Sequence, residues 1–378
     1  MSVRRIFPED RPRRRRKRAL GAGEIIEFLE YLAPPALAVP EEPYGFQVGA
    51  PNLAASSVIL APMPSFDALA LAASRKHSLL ITALPLLTEP LMSVRRDDPI
   101  GGKLAYLLEH RINYYVLANT FFSAPGGFDD SLAERLGLAA TSSILPTSYE
   151  PLYKIAVYVP PKSAERVMNA AADAGAGRIG NYTHCSFQTQ GTGTFLPRDG
   201  AKPTLGSVGN LERVGEIRLE MVVPRRELQG VIAAILEAHP YEEVAYDVYM
   251  VKNPGVQYGR GRMGELPLKV SLETVLAQVQ DALGLKSLRL SHRPEFPIGT
   301  LATAAGAAKG LFARANTAGA GAFVTGAASV QDLMLADNST TVVIDVGFSA
   351  SVRPGLERLC RQLQDTFALD GVEILYGG

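Results

Sequence analysis

The sequence predicts an α/β protein in which two similar α/β halves form one body, interrupted by a ferredoxin-like (βαββαβ) insert. Three observations predict it. Strand-like and helix-like segments alternate over residues 58–136 and again over 298–375, the pattern of a mainly parallel sheet covered on both faces. Between these stretches the order changes to β-α-β-β-α-β. Turn residues close both ends of that middle region, Pro151 and Pro254-Gly255.

The elements follow in order. Ile25, Ile26, Phe28, Leu29 and Leu32 recur at helical spacing after Gly23-Glu24, and Pro34-Pro35 stops the helix. Residues 58–61 read as a strand, 65–75 as a helix, 79–82 as a strand, 102–110 as a helix, 114–118 as a strand and 129–136 as a helix. In the second half, strands are expected at 298–303, 322–325, 341–345 and 372–375, and helices at 307–318, 330–336 and 351–366. Within the insert, residues 153–159 alternate with period two and end at Pro160-Pro161. Strands at 181–189, 216–223 and 244–251 and helices at 164–174 and 226–238 complete the unit. The expected domains are a basic tail over 1–22, a body over 23–150 and 255–378, and the insert over 151–254.

Composition narrows the class. A chain of 378 residues, 47% hydrophobic and 20% charged, suits two or three globular domains. Its apolar stretches stay far below the roughly 20 residues a bilayer demands, and no apolar segment follows Arg4 and Arg5 to make a secretory signal. Two cysteines, Cys185 and Cys360, give neither a disulfide framework nor a Cys-rich metal knuckle. The expected location is the cytoplasm, with no membrane partner. Net charge is zero but uneven: residues 1–18 hold nine Arg/Lys against Glu9 and Asp10, leaving 29 basic and 36 acidic groups elsewhere. The basic run reads as a mobile tail, and the acidic body argues against nucleic acid as the main partner.

In open parallel sheets ligands bind at the carboxyl ends of the strands. Here those ends read Ala83-Leu84-Pro85, Asn119-Thr120-Phe121-Phe122-Ser123, Gly326-Ala327-Ala328 and Val346-Gly347-Phe348. No His, Cys or Glu is among them, and Asp345 supplies the one carboxylate. A metal needs several deprotonated ligands converging on one point.

The same stretches carry a resemblance. Residues 81–86 (Ile-Thr-Ala-Leu-Pro-Leu), Ala118-Asn119-Thr120 with Ala124-Pro125-Gly126-Gly127, Val324-Thr325-Gly326 and Ile344-Asp345-Val346-Gly347 resemble the landmarks of the GTP cyclohydrolase 1 type 2 homologue family, the NIF-three-like dinuclear-metal proteins. Residues 180–187 (Gly-Asn-Tyr-Thr-His-Cys-Ser-Phe), 191–195 (Gly-Thr-Gly-Thr-Phe) and 239–247 (His-Pro-Tyr-Glu-Glu-Val-Ala-Tyr-Asp) resemble the PII- or CutA-like insert of its long bacterial version. The resemblance covers residues 23–378 and implies two halves related in fold, a toroidal homohexamer and two divalent metal ions. The family's His-His pair falls on Ala83 and Leu84, and its Asp before the Pro-Gly-Gly turn on Phe122 (or Ser123 if the alignment slips one place). Its Asp and His after Thr-Gly fall on Ala327 and Gln331, and its closing His and Glu on Phe348 and Val352. Neither metal binding nor metal-assisted hydrolysis carries over, so no cofactor is expected.

The remaining polar residues form two groups. Asn119, Thr120, Ser123, Asp345 and Ser349 line the expected strand-end pocket, where a small organic ligand would sit. His184, Cys185, His239, Glu242 and Glu243 lie in the insert, as a small-ligand or soft-metal site. One Cys and two His make a thin ligand set, and the simpler reading has Tyr182, His184 and Cys185 filling an interface while His239-Pro240 caps a helix. Gly191-Thr192-Gly193-Thr194 lacks the Lys-Ser/Thr of a phosphate loop. His77, His110 and His292 read as structural.

The leading expectation is a metal-free, non-catalytic relative acting as an oligomeric binding or scaffold protein, with itself as partner. Two alternatives stay open. One is a hydrolase using an unrecognised constellation, with Ser123, Ser349 or Thr120 as nucleophile. The other is ligand sensing through the PII-like insert.

Overall fold

In the computed structural model the described residues are 20–40, 42–139, 141–200 and 207–378. The basic run at 1–18 lies outside them. Two compact units emerge, one comprising Tyr149–Gln257 and the other the described residues up to Ser148 together with Tyr258–Gly378.

The chain enters through helix α1 (Ala22–Leu32), which buries Ile25, Ile26, Phe28 and Leu29 on one face. Strands β1 (Gly45–Val48), β2 (Ser57–Ala61), β3 (Ser78–Thr82) and β4 (Asn113–Val116) alternate with helices α2 (Phe66–Ala73) and α3 (Pro99–Glu109). Every residue of β2, β3 and β4 is buried, as a parallel sheet covered on both faces demands. The helices start where side chains satisfy their first amides. Ser65 Oγ accepts from Ala68 N, and the Asp98 carboxylate accepts from Ile100 and Gly101 N ahead of Pro99 at the first helical position. Helices α4 (Ala118–Ser123) and α5 (Phe128–Arg135) and strand β5 (Ser142–Tyr149) follow. The expected strand at 114–118 therefore ends at Val116, and the stretch expected as an open rim is a buried helical turn.

The second unit begins with β6 (Leu152–Val159), α6 (Ala164–Asp173), β7 (Ser186–Phe195), β8 (Glu212–Pro224), α7 (Leu228–Ala238) and β9 (Tyr246–Val251). Its sheet runs β7-β8-β6-β9 with every neighbouring pair antiparallel, on the expected β-α-β-β-α-β order. Val157, Val159, Leu219 and Val223 on the strands bury against Val167 and Ala171 of α6 and Val231 and Ile235 of α7. The strand expected at 181–189 begins only at Ser186, because His184 holds φ 59° in a turn before it.

The first unit resumes with β10 (Gln257–Val270), α8 (Leu272–Leu283), β11 (Arg289–Leu290), β12 (Ile298–Ala307), α9 (Leu311–Thr317), β13 (Ala322–Ala327), α10 (Val330–Ala336), β14 (Val342–Asp345), α11 (Phe348–Phe367) and β15 (Glu373–Tyr376). Its two sheets do not follow the two halves of the sequence. One runs β1-β4-β3-β2-β15 and the other β11-β14-β13-β12-β10-β5, so each half lends one strand to the other's sheet. The last strand lies parallel to β2, with Ile374 opposite Val58. Helix α11 packs against β12 and β13 of one sheet, β2 and β15 of the other, and α5.

Candidate functional site

The parallel strands β12, β13 and β14 deliver their carboxyl ends to one corner of the first unit. There β12 slips register against β13 between Ala304 and Ala307, with Gly306 at φ 65°. A bulge leaves backbone groups unpaired that must find other partners. Ala305 N donates to Asp129 Oδ1 at 2.7 Å, and Ala305 O accepts from Arg260 Nη2 at 3.1 Å. Gly306 N donates to Ser351 Oγ at 2.9 Å, and Gly306 O accepts from Thr325 Oγ1 at 3.2 Å.

Two charged groups meet at this bulge. Asp129, wholly buried at the start of α5, accepts from Arg260 Nε at 2.9 Å and from Gly261 N at 2.6 Å. Arg260 comes from β10, where Gly261 at φ 65° turns the strand, and its Nη1 donates to Asn119 Oδ1 at 3.3 Å. The guanidinium carbon lies 4.6 Å from the centroid of the Phe122 ring, a cation–π distance. Beside it, Arg262 pairs with Asp130 and donates to the carbonyls of Gly259 and Gly261.

Phe122 and Phe348 converge on Gly306: a methyl there would stand 2.9 Å from Phe122 Cε1 and 3.0 Å from Phe348 Cε2. Rings from α4 and α11 thus close on the bulged strand. Val352 is wholly buried one turn later, while Gln331 is exposed on α10. Ala83 is buried at the end of β3. Leu84 O accepts from Thr82 Oγ1 at 2.6 Å and Tyr114 Oη at 3.0 Å, so two hydroxyls fix the corner after β3. Burial raises the Tyr114 hydroxyl well above its ordinary value, so it stays protonated as a donor.

Of the five expected pocket residues, Asn119 and Ser123 come together. Asn119 Nδ2 donates to Ser123 Oγ at 3.2 Å and to Leu37 O at 3.0 Å. Thr120 turns away to donate to Leu117 O at 2.6 Å. All three are buried. Asp345 accepts from Ala328 N and Gly347 N, holding two loops in place, and Ser349 is exposed on the first turn of α11. Backbone strain persists beside them, for Ala118 adopts φ 44°. Arg260 and Asp129 were not singled out from the sequence; the one signal was two arginines in a Gly-rich run, Gly259-Arg260-Gly261-Arg262.

In the Tyr149–Gln257 unit the five expected residues have different surroundings, Cys185 being half-buried just before β7. His239 is buried, with Nδ1 accepting from Tyr241 N at 3.2 Å. That leaves Nε2 to donate to Tyr158 O at 3.1 Å. Both ring nitrogens are therefore engaged by backbone, and burial lowers the imidazole from its ordinary value more than the Tyr158 carbonyl raises it. His184 is exposed, its Nδ1 beside Thr183 Oγ1. Glu242 and Glu243 instead line a cavity of about 620 Å³, with the Gly191–Thr194 stretch, here inside strand β7, along one wall. Among the described residues no three His, Cys, Asp or Glu side chains group to hold a metal.

A family model described as Duf34/NIF3 (NGG1p interacting factor 3) matches residues 21–376. The chain belongs to the Duf34/NIF3 family. Similar Duf34/NIF3 relatives include a GTP cyclohydrolase 1 type 2 homolog of Bacillus subtilis, 36% identical over 82% of this chain and 83% of its own. Another, from Mycobacterium tuberculosis, is 35% identical over 80% of each. Among solved structures, a Bacillus cereus protein related to NIF3 superposes with a TM-score of 0.83 at 32% identity, over 95% of this chain and 97% of that one. A Staphylococcus aureus protein shares the fold at a TM-score of 0.64 and 21% identity, covering 95% of each.

The residues at the positions the resemblance assigns to metal ligands do not fit that role. Ala83, Leu84, Ala327, Phe348 and Val352 carry no side-chain ligand atom, Phe122 offers only a ring, its alternative Ser123 a buried hydroxyl already bonded by Asn119, and Gln331 is a neutral amide. Among the described residues no helix is long and apolar enough to cross a membrane.

Proposed function

We propose that this chain is a binding member of the Duf34/NIF3 family that works without a dinuclear metal centre, as a cytoplasmic homo-oligomer and most simply a homohexamer. One observation carries the reading. Where the resemblance places two ligands, Phe122 and Phe348 close on Gly306, and the guanidinium of Arg260 lies on the Phe122 ring. The fixed cation at that point repels a divalent ion, and the rings offer it no lone pair to bind. The scaffold is meanwhile kept by Asp129, Asp345 and Ser351, which satisfy the backbone of the strand ends. Of the hydroxyl groups a hydrolase would use as nucleophiles, Thr120 and Ser123 are buried and hydrogen-bonded within the protein, while Ser349 is exposed.

The test is elemental analysis of the protein purified without chelator, together with its mass in solution. The reading expects well under one transition ion per chain and a mass several times that of the monomer. Two tightly held transition ions per chain would overturn it, as would a monomer.

A further inference from the structure

The cavity of the Tyr149–Gln257 unit has a chemistry of its own. At about 620 Å³ it falls within the range of small-molecule sites. Its walls carry three aromatic rings, Tyr158, Phe195 and Tyr241, and three carboxylates, Glu216, Glu242 and Glu243. The one cation among the described residues of the wall, Arg218, is engaged, its Nη2 lying 2.9 Å from Glu220 Oε1. The cavity therefore holds surplus negative charge against apolar rings.

Glu216 is the sharpest part of this imbalance. Burial raises its carboxyl above the ordinary value, only partly offset by the nearby Tyr241 hydroxyl. Among the described residues it has no basic partner. The Tyr241 Oη atom is buried beside Glu216 but outside hydrogen-bond geometry, so that hydroxyl is left unpartnered. A half-buried carboxylate without a basic partner and a buried unpartnered hydroxyl thus lie side by side on the wall. Gly193 permits the arrangement: a methyl at that position would stand 2.3 Å from Glu216 Oε2.

We propose that this cavity binds an organic ammonium ion, a protonated amine with an apolar body. Its N–H groups donate to the Glu216 carboxylate and to Tyr241 Oη, satisfying both, and its cation and apolar body pack on the rings. Glu242 and Glu243 at the exposed rim add attraction but little fixed geometry. The inference does not depend on the metal content of the body.

Calorimetric titration of the full chain at low ionic strength tests it with three probes: phenethylammonium, spermidine, and phenylacetate as a body of similar size and opposite charge. Both amines should bind and phenylacetate should not. Glu216→Gln should weaken phenethylammonium at least tenfold, and Tyr241→Phe severalfold, while Glu165→Gln on the exposed side of α6 leaves it unchanged. Because Glu216 is half-buried without a basic partner, the Gln variant should melt no lower than the parent, which separates loss of binding from loss of fold. Should that variant not fold, Gly193→Ala, which presses on the carboxylate, should show the same weakening. The proposal is overturned if neither amine binds at millimolar concentration, if phenylacetate binds as well, or if Glu216→Gln binds unchanged. It is equally overturned if the variant changes the mass of the oligomer in light scattering, which would make the cavity a contact with a second copy.

Discussion

Arg260 holds its Nε 2.9 Å from Asp129 Oδ2 while its guanidinium covers the ring of Phe122. Asp129 is wholly buried, and Arg260 supplies the countercharge that its two backbone donors, Gly261 N and Ala305 N, do not. Arg260→Met should therefore strand a buried carboxylate and cost about 3–5 kcal/mol. Urea unfolding measures it. Adding Asp129→Asn to the methionine variant should recover part of the loss, and strict additivity in that double-mutant cycle would show the pair to be uncoupled.

Gly306 sits at φ 65° with two rings against its α-carbon. Gly306→Ala combines a left-handed backbone penalty of about 1–2 kcal/mol with overpacking of about 1–3 kcal/mol. The double variant Gly306→Ala/Phe348→Ala should recover the overpacking part, since one of the two rings is gone. Thermal melts of the three proteins decide it.

Ala118 carries φ 44° although it has a β-carbon. Ala118→Gly should relieve about 1–2 kcal/mol of strain and return part of it as unfolded-chain entropy. The expected outcome is a net stabilisation of at most about 1 kcal/mol, read from the denaturation midpoint. A clear loss of stability would mean that the methyl packs better than its backbone is strained.

His239 gives the insert a pH dependence of known sign. Its folded value lies below the ordinary imidazole value because burial disfavours the charged ring. Above about pH 6.5 both folded and unfolded chains hold it neutral. As the pH falls below that, the unfolded chain takes up the proton first, so the histidine's contribution is lost on the acid side. Hydrogen exchange of β6 amides between pH 7.5 and 5.5 should show this loss, and His239→Asn should flatten it.

Much of this was legible in the sequence because it depends on local order. The largely apolar runs 58–61 and 79–82 read as buried strands, and the helices after Ser65 and Ser329 begin where expected, although the helix expected from 102 starts three residues earlier, behind the Asp98 cap. The absence of metal-ligating side chains along the strand ends is likewise a property of the residues themselves. The extent of α4 was not legible, since its buried polar residues carry no helical period and are held by Leu37, Leu117 and Arg260 from elsewhere in the chain. The exposure of His184 was hidden for a similar reason: it holds a left-handed turn ahead of β7, which begins only at Ser186.

The sequence by itself determined the α/β alternation, the middle βαββαβ unit and a strand-end corner without metal ligands. Tertiary structure alone decided what occupies that corner. Arg260 lies 131 positions from Asp129, and only a register slip in β12, exposing one amide and one carbonyl at Ala305, brings the two together. Such a slip is fixed by long-range strand pairing and by Gly306 yielding to two rings, neither of which leaves a local pattern to read.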